Sequence, residues 1–218
     1  MQTTDTNSNM IKAILVDYGG VLTNNSSWDP VVINYCKLKN IDQANVISKA
    51  IKIWDKVRLG KANSKEFWKV ISDYTKIPSK KVKQDILNHF GLNHDFIKIL
   101  RDLSKYYLLI MASNQIEDWL ETVIKKVELN SLFYKNLSSY KIGVAKPNQS
   151  FYQTIQEQIG FSYQEFLFID DSKKNLDVAK ILGINTILYI NNQRLLKNLK
   201  LYGIKISTET KYESGKRS

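Results

Sequence analysis

ILVDYGGVLT, residues 14–23, decides the fold. Three apolar residues run into an aspartate, a tyrosine and two glycines, so a short buried strand ends in a carboxylate at the mouth of a tight turn. Parallel α/β sheets gather their ligand-binding groups at such strand ends. The plain alternative is that Asp17 simply initiates the turn before Gly19 and Gly20. Working outward, similar short apolar runs recur at IKAILV (11–16), YYLLIMA (106–112), LFYKNL (132–137), FLFI (166–169) and TILYI (186–190). Each is branched or aromatic and bounded by turn or polar residues, the pattern of strands covered on both faces.

Amphipathic helices separate these runs. Ile116, Trp119, Leu120, Val123, Ile124 and Val127 repeat at three-and-four spacing. Phe151, Ile155 and Ile159 do the same and stop at Gly160, while Leu176, Ala179 and Leu182 lead into Gly183. Strands alternating with helices predict a parallel sheet of about five strands with right-handed crossovers, a Rossmann-like α/β fold. Residues 24–95 break the alternation. They hold no convincing strand but three apolar stripes: Val46–Val57, Phe67–Ile71 opening after Asn63 and Ser64, and Val82–Phe90 opening after Pro78-Ser79 and closing at Gly91. The expected organisation is a disordered leader (1–9), a core (10–23 and 96–205), a helical insert (24–95) and a flexible basic tail (206–218).

Composition narrows the class. Of 218 residues, 43% are hydrophobic and 24% charged, which is ordinary for a globular chain. A single cysteine, Cys36, excludes an internal disulfide framework. No apolar run approaches the ~18 residues of a membrane span, and MQTTDTNSNM lacks the apolar stretch of a signal peptide. A soluble cytoplasmic protein is expected. The net charge is +11, and its surplus lies in residues 24–95 (13 basic, 7 acidic) and 191–218 (7 basic, 2 acidic). The surplus reads either as decoration of solvated helix faces or as a field for anions. The tail mixes Leu195, Leu196, Leu199 and Ile204 with its basic residues, so a docking helix is expected there and nucleic-acid binding is not.

Three further stretches carry chemistry. LLIMASNQ (108–115) places Ser113 and Asn114 at a strand-to-helix junction, where unpaired N–H groups receive anions; an ordinary N-cap is the alternative. GVAKPNQSFY (143–152) puts Lys146 before a proline expected to open a helix, a point charge near the helix mouth. FLFIDDSKKN (166–175) ends a strand in Asp170 and Asp171, adjacent carboxylates that call for a cation or proton between them and suit Mg²⁺. His89, His94 and Cys36 show no ligand spacing and are expected to pack or face solvent. Trp28 and Trp54 are expected to serve helix packing rather than line a site.

The order and spacing of Asp17, Ser113 (96 later), Lys146 (33 later) and Asp170 (24 later) resemble the four motifs of the haloacid dehalogenase-like (HAD) hydrolase superfamily. The resemblance covers residues 11–190, and the insert is similar to the C1-type cap of the dehalogenase-like branch. It implies that Asp17 is a nucleophile forming an aspartyl-phosphate and that Ser113 and the Asn114 backbone bind phosphate. It also implies that Lys146 neutralises nucleophile and phosphate oxygens, and that Asp17, Gly19 (through its carbonyl), Asp170 and Asp171 bind Mg²⁺. Family phosphatases usually carry a second aspartate, a general acid and base, where this chain has Gly19. Members with a D-x-G-G/N-V pattern resemble sugar-phosphate phosphatases. The expectation is a Mg²⁺-dependent phosphatase of a small phosphorylated metabolite, monomeric or homodimeric, with the basic insert suiting a polyanionic or sugar phosphate. Two alternatives stand beside it: a HAD-fold binding protein weakened in turnover, and a 2-haloacid dehalogenase, whose first motif resembles D-x-Y-G-T without the doubled aspartate.

Overall fold

The computed structural model describes residues 10–120 and 129–206. The expected leader, the tail beyond residue 206, and Val123, Ile124 and Val127 lie outside the described residues. β1 (Ala13–Val16), β2 (Leu108–Met111), β3 (Lys135–Asn136), β4 (Phe166–Asp170) and β5 (Asn185–Leu188) form one parallel sheet in the order β3-β2-β1-β4-β5. Each apolar run thus supplies a strand. Val16 pairs with Met111 on one side and Ile169 on the other, so β1, β2 and β4 end level. Chain order reverses between β1 and β4, and that reversal leaves a crevice beyond the strand ends.

The helices follow in chain order: α1 (Asp29–Lys39), α2 (Gln43–Val57), α3 (Ser64–Thr75), α4 (Ser79–Phe90) and α5 (His94–Leu103) precede β2. After it come α6 (described over 117–120), α7 (Ser139–Ile142), α8 (Gln149–Ile159), α9 (Lys173–Ile181) and α10 (Asn192–Leu201). Alternation along the strands divides them into two cores. Ala13, Leu15, Phe166 and Phe168 pack on Phe151, Ile155, Leu176 and Ala179 of α8 and α9. Ile14, Val16, Leu167 and Ile169 belong to the other core, with Phe96 and Leu100 of α5 and Leu195 and Leu199 of α10. That second core runs on without a break into the apolar faces of α1–α4. The tail's leucines therefore dock as α10, as their spacing predicts.

Two strands are less covered than expected. LFYKNL yields only Lys135–Asn136, because β3 is an edge strand with one neighbour, and Tyr134 before it is 64% exposed. β5 is the opposite edge, and its Leu188 is exposed. In the insert, Asn63 caps α3 by accepting from Lys65 N–H while Glu66 accepts from the Asn63 N–H, a reciprocal cap. The stripes at α2, α3 and α4 fall where the periodicity puts them, but α1 adds a fourth helix, opened by Asp29-Pro30 and buried through Val32, Tyr35 and Cys36. The base of the insert is closed. Asn24 N–H donates to Phe90 O at 3.0 Å, Thr23 bridges Leu92 in antiparallel fashion, and Asn93 N–H donates to Leu22 O at 3.0 Å. Among the described residues, no helix is long and apolar enough to cross a membrane.

Candidate active site

The end of β1 delivers Asp17 into the crevice. Its N–H donates to Ile169 O at 3.0 Å, which ties the turn to β4. Its Oδ1 accepts from Tyr18 N–H at 2.7 Å and meets Lys146 Nζ at 2.8 Å. Among the described residues no donor reaches Oδ2. Lys146 Nζ also lies 2.6 Å from Asp170 Oδ2, at the end of the neighbouring strand, and 5.1 Å from the Phe168 ring centroid. The ammonium is 1% exposed, and Asp170 is fully buried. Asp170 Oδ1 further accepts from Ser172 N–H at 2.8 Å and Asn175 Nδ2 at 3.0 Å. Ser113 is buried beside them, just past β2.

The turn after Asp17 is shaped by its glycines. Gly20 has φ +72°, and a Cβ there would sit 2.2 Å from Asp171 Oδ2, so only glycine lets the Asp171 carboxylate lie against this turn. Gly19 has an ordinary backbone, but a Cβ on it would come 3.3 Å from Ser26 O. The loop leading into α1 therefore occupies the space beside position 19.

Ligand oxygens of Asp17, Asp170 and Asp171 lie within 4.8 Å of one another. Three carboxylates face one ammonium, a formal net charge of −2 if all ionise, in a largely buried site. Burial pushes the Asp17 carboxyl up to about 7, against the pull of Lys146 and aided by the charge of Asp170. Burial, then Asp170, also raises Asp171. Burial alone would lower Lys146, but Asp17 and Asp170 together hold it above its usual value. The site thus lacks positive charge, and an all-oxygen donor set of this kind fits a hard divalent cation.

All seven residues singled out from the sequence come together here, three of them in a different setting from that expected. Ser113 and Asn114 do not open a helix, since α6 is described from 117 and the Gln115 N–H is donated to Ser139 Oγ. The Asn114 side chain instead clamps the backbone of Lys146: Oδ1 accepts from its N–H at 2.9 Å and Nδ2 donates to its carbonyl at 2.9 Å. Lys146-Pro147 likewise precedes α8 rather than opening it; Asn148 is the N-cap, accepting from Ser150 N–H. Asn175 and Gln115 were not singled out at all. Asn175 stands five residues after Asp170 on the first turn of α9, a spacing that would have drawn attention to it.

A cavity of about 240 Å³ opens over this cluster, and Trp28, Trp54 and Phe90 line it together with Asp17, Ser113 and Lys146. Trp28 and Trp54 therefore do more than pack helices. Cys36 is buried in the insert and the His89 ring meets Phe90 edge to face, with no metal-ligand cluster involving them among the described residues.

A buried carboxylate, a shared lysine and an acidic pair thus meet at the switch point of a parallel sheet. The profile of the haloacid dehalogenase-like hydrolase family matches residues 31–189, and the chain belongs to that family. It is similar to a D-ribitol-5-phosphate phosphatase from Bacteroides thetaiotaomicron, 28% identical over 81% of this chain and 91% of the relative. It also resembles a drimenol cyclase from Aspergillus calidoustus at 23% identity, over 87% of this chain but only 36% of the cyclase. Among solved structures, a HAD family enzyme from B. thetaiotaomicron superposes with a TM-score of 0.75 at 24% identity, over 86% of this chain and 98% of that one. A variant of that enzyme in complex with magnesium and inorganic phosphate superposes with a TM-score of 0.69 at 26% identity, over 84% and 95% of the two chains.

Proposed function

We propose that the protein is a Mg²⁺-dependent phosphatase of a small phosphorylated metabolite, a sugar phosphate by preference, acting through an aspartyl-phosphate on Asp17. The observation that carries this reading is the buried Lys146 shared between Asp17 and Asp170, with Asp171 beside them. Asp17, the Gly19 carbonyl, Asp170 and Asp171 would hold Mg²⁺, whose charge when bound offsets that of the carboxylates and the phosphate. Lys146 screens the incoming dianion from Asp17, and Ser113 with the Asn114 backbone binds its oxygens. The Oδ2 of Asp17 attacks phosphorus, and the bond from phosphorus to the organic oxygen breaks with its electron pair on that oxygen. Water then cleaves the acyl phosphate, releasing inorganic phosphate and restoring Asp17. Residues 24–95 act as the cap that closes over the cleft, residues 10–23 and 96–205 as the catalytic core. The relatives that act on or bind phosphate support the reaction class.

With glycine at 19, no side chain stands ready there to protonate the leaving oxygen, so anomeric, acyl and aryl phosphates are favoured over alkyl ones. The same glycine favours a second reading, a phosphate-binding protein of this fold without turnover. The experiment is phosphate release from acetyl phosphate with Mg²⁺ and with EDTA, in wild type and Asp17→Asn. Release that requires Mg²⁺ and vanishes in the variant is the expected result. Activity in Asp17→Asn within about tenfold of wild type, roughly 1.4 kcal/mol of barrier, removes Asp17 as nucleophile. No release by wild type leaves the binding protein.

A further inference from the structure

The charge surplus of residues 24–95 does not reach the cleft. Among the described residues, Lys146 is the only cationic one lining the cavity over Asp17, and both Asp17 and Asp170 already engage it. Lys65, Lys69, Lys80 and Lys83 line a separate groove along α3 and α4, where Lys69 pairs with Asp73 and Lys83 with Asp118. Lys61 borders another cavity, beside Glu117. The wall that the insert does present to the cleft is aromatic. Trp28 and Trp54 lie 6.1 Å apart, and Trp54 is held in place by Phe67 at 5.1 Å and Trp119 at 5.6 Å. Ser26, Ser27 and Gln115 add neutral polar atoms to the lining. At about 240 Å³ the cavity falls below the ~300–1,000 Å³ of common ligand pockets.

Resting on the phosphatase reading, we infer that the site selects a single phosphate on a compact, uncharged body and rejects bisphosphates and diphosphates, with Trp28 and Trp54 as the specificity-determining side chains. One divalent cation balances the formal −2 left by the three carboxylates together with Lys146, and one phosphate dianion then meets that cation and the lysine. A second anionic group would be desolvated against indole and phenyl rings with no further cation among the described lining residues to receive it, a large penalty that discriminates by exclusion. An uncharged body instead lays its C–H face on the two indoles and turns its hydroxyls to the serines and Gln115. The lysine groove contributes nothing to this choice, which corrects the expectation that the basic insert suits a polyanion.

The test compares kcat/KM for ribose 1-phosphate, ribose 1,5-bisphosphate, geranyl phosphate and acetyl phosphate with Mg²⁺. The bisphosphate differs from ribose 1-phosphate only in its second anion and is expected to be at least about tenfold poorer. Trp54→Ala should lower kcat/KM for ribose 1-phosphate by roughly threefold to tenfold. It should leave acetyl phosphate, which has almost no body to stack, nearly unchanged, and Trp54→Phe should recover part of the loss. Lys80→Glu, in the separate groove, should leave every ratio as in wild type. A bisphosphate or geranyl phosphate used as well as ribose 1-phosphate overturns the inference, as does an equal loss on acetyl phosphate in Trp54→Ala with Trp54→Phe giving no recovery. If acetyl phosphate itself is not hydrolysed by wild type, the phosphatase reading has failed and the inference falls with it.

Discussion

Lys146 is the residue on which the others depend, because it sets one ammonium between carboxylates that would otherwise repel. The two acidic neighbours at the end of β4 consequently differ in what they do for the fold. Asp170 is fully buried and accepts from Lys146, Ser172 and Asn175. Asp170→Ala leaves those donors unmatched and should cost about 1–3 kcal/mol in urea denaturation. Asp171 has its carboxyl raised by burial and by Asp170, so its charged form is the disfavoured one in the fold. Asp171→Asn should leave metal-free Tm equal or higher while weakening Mg²⁺ binding, read by calorimetry. A lower Tm would mean that Asp171 is a structural anion. Asn114 acts through Lys146, whose backbone it grips at both N–H and carbonyl. Asn114→Ala should reduce kcat/KM on the order of 10²-fold, the usual consequence of displacing a reacting group by about an ångström. The loss should fall mainly on kcat, with Asn114→Asp, which keeps the Oδ1 acceptor, recovering part of it; a pure KM effect would make Asn114 a substrate ligand instead.

At the level of elements, what the sequence makes legible depends on how local the cause is. β1, β2 and β4 are apolar because both faces are buried, so their composition alone reveals them. Edge strands carry half that signal, and LFYKNL overstates β3 because its outer residues have no partner strand. Asp17, Asp170 and Asp171 are legible because strand ends place them, and Lys146 because it stands before a proline in the loop that leads to α8. The clamp of Asn114 and the support from Asn175 arise only when two distant turns meet, and no local pattern announces that. Nor does a count of lysines reveal which helix face they occupy, so solvated decoration and a field for anions both stay open until the fold sets Lys65, Lys69, Lys80 and Lys83 along a separate groove. The turn after β1 carries its own prediction. Gly20 combines φ +72° with the 2.2 Å approach to Asp171. Gly20→Ala should destabilise by at least ~1–2 kcal/mol and weaken Mg²⁺ affinity, since the Asp171 carboxylate must move; unchanged calorimetric affinity would mean that this carboxylate does not touch the ion.

For the molecule as a whole, the buried excess of negative charge makes folding and cation binding one equilibrium. Mg²⁺ at about 100 times its dissociation constant should add about 2.7 kcal/mol of stability, seen as a rise in Tm that EDTA reverses. In Asp17→Asn, which removes one carboxylate of the cluster, that rise should shrink. A Tm indifferent to Mg²⁺ in both proteins would place no divalent ion in this cluster. The paired segments at the foot of the insert have a consequence of another kind. Thr23 and Leu92 face each other, so the chain leaves the core after β1 and re-enters it at α5 through the same spot. Seen from the sheet, everything between them is one excursion closed at its neck, whose length and sequence place no demand on strand register. Such a junction lets the excursion be exchanged as a unit while the sheet and the residues at its strand ends stay put. The greasy footing that the excursion shares with the second core is what any replacement must bring with it.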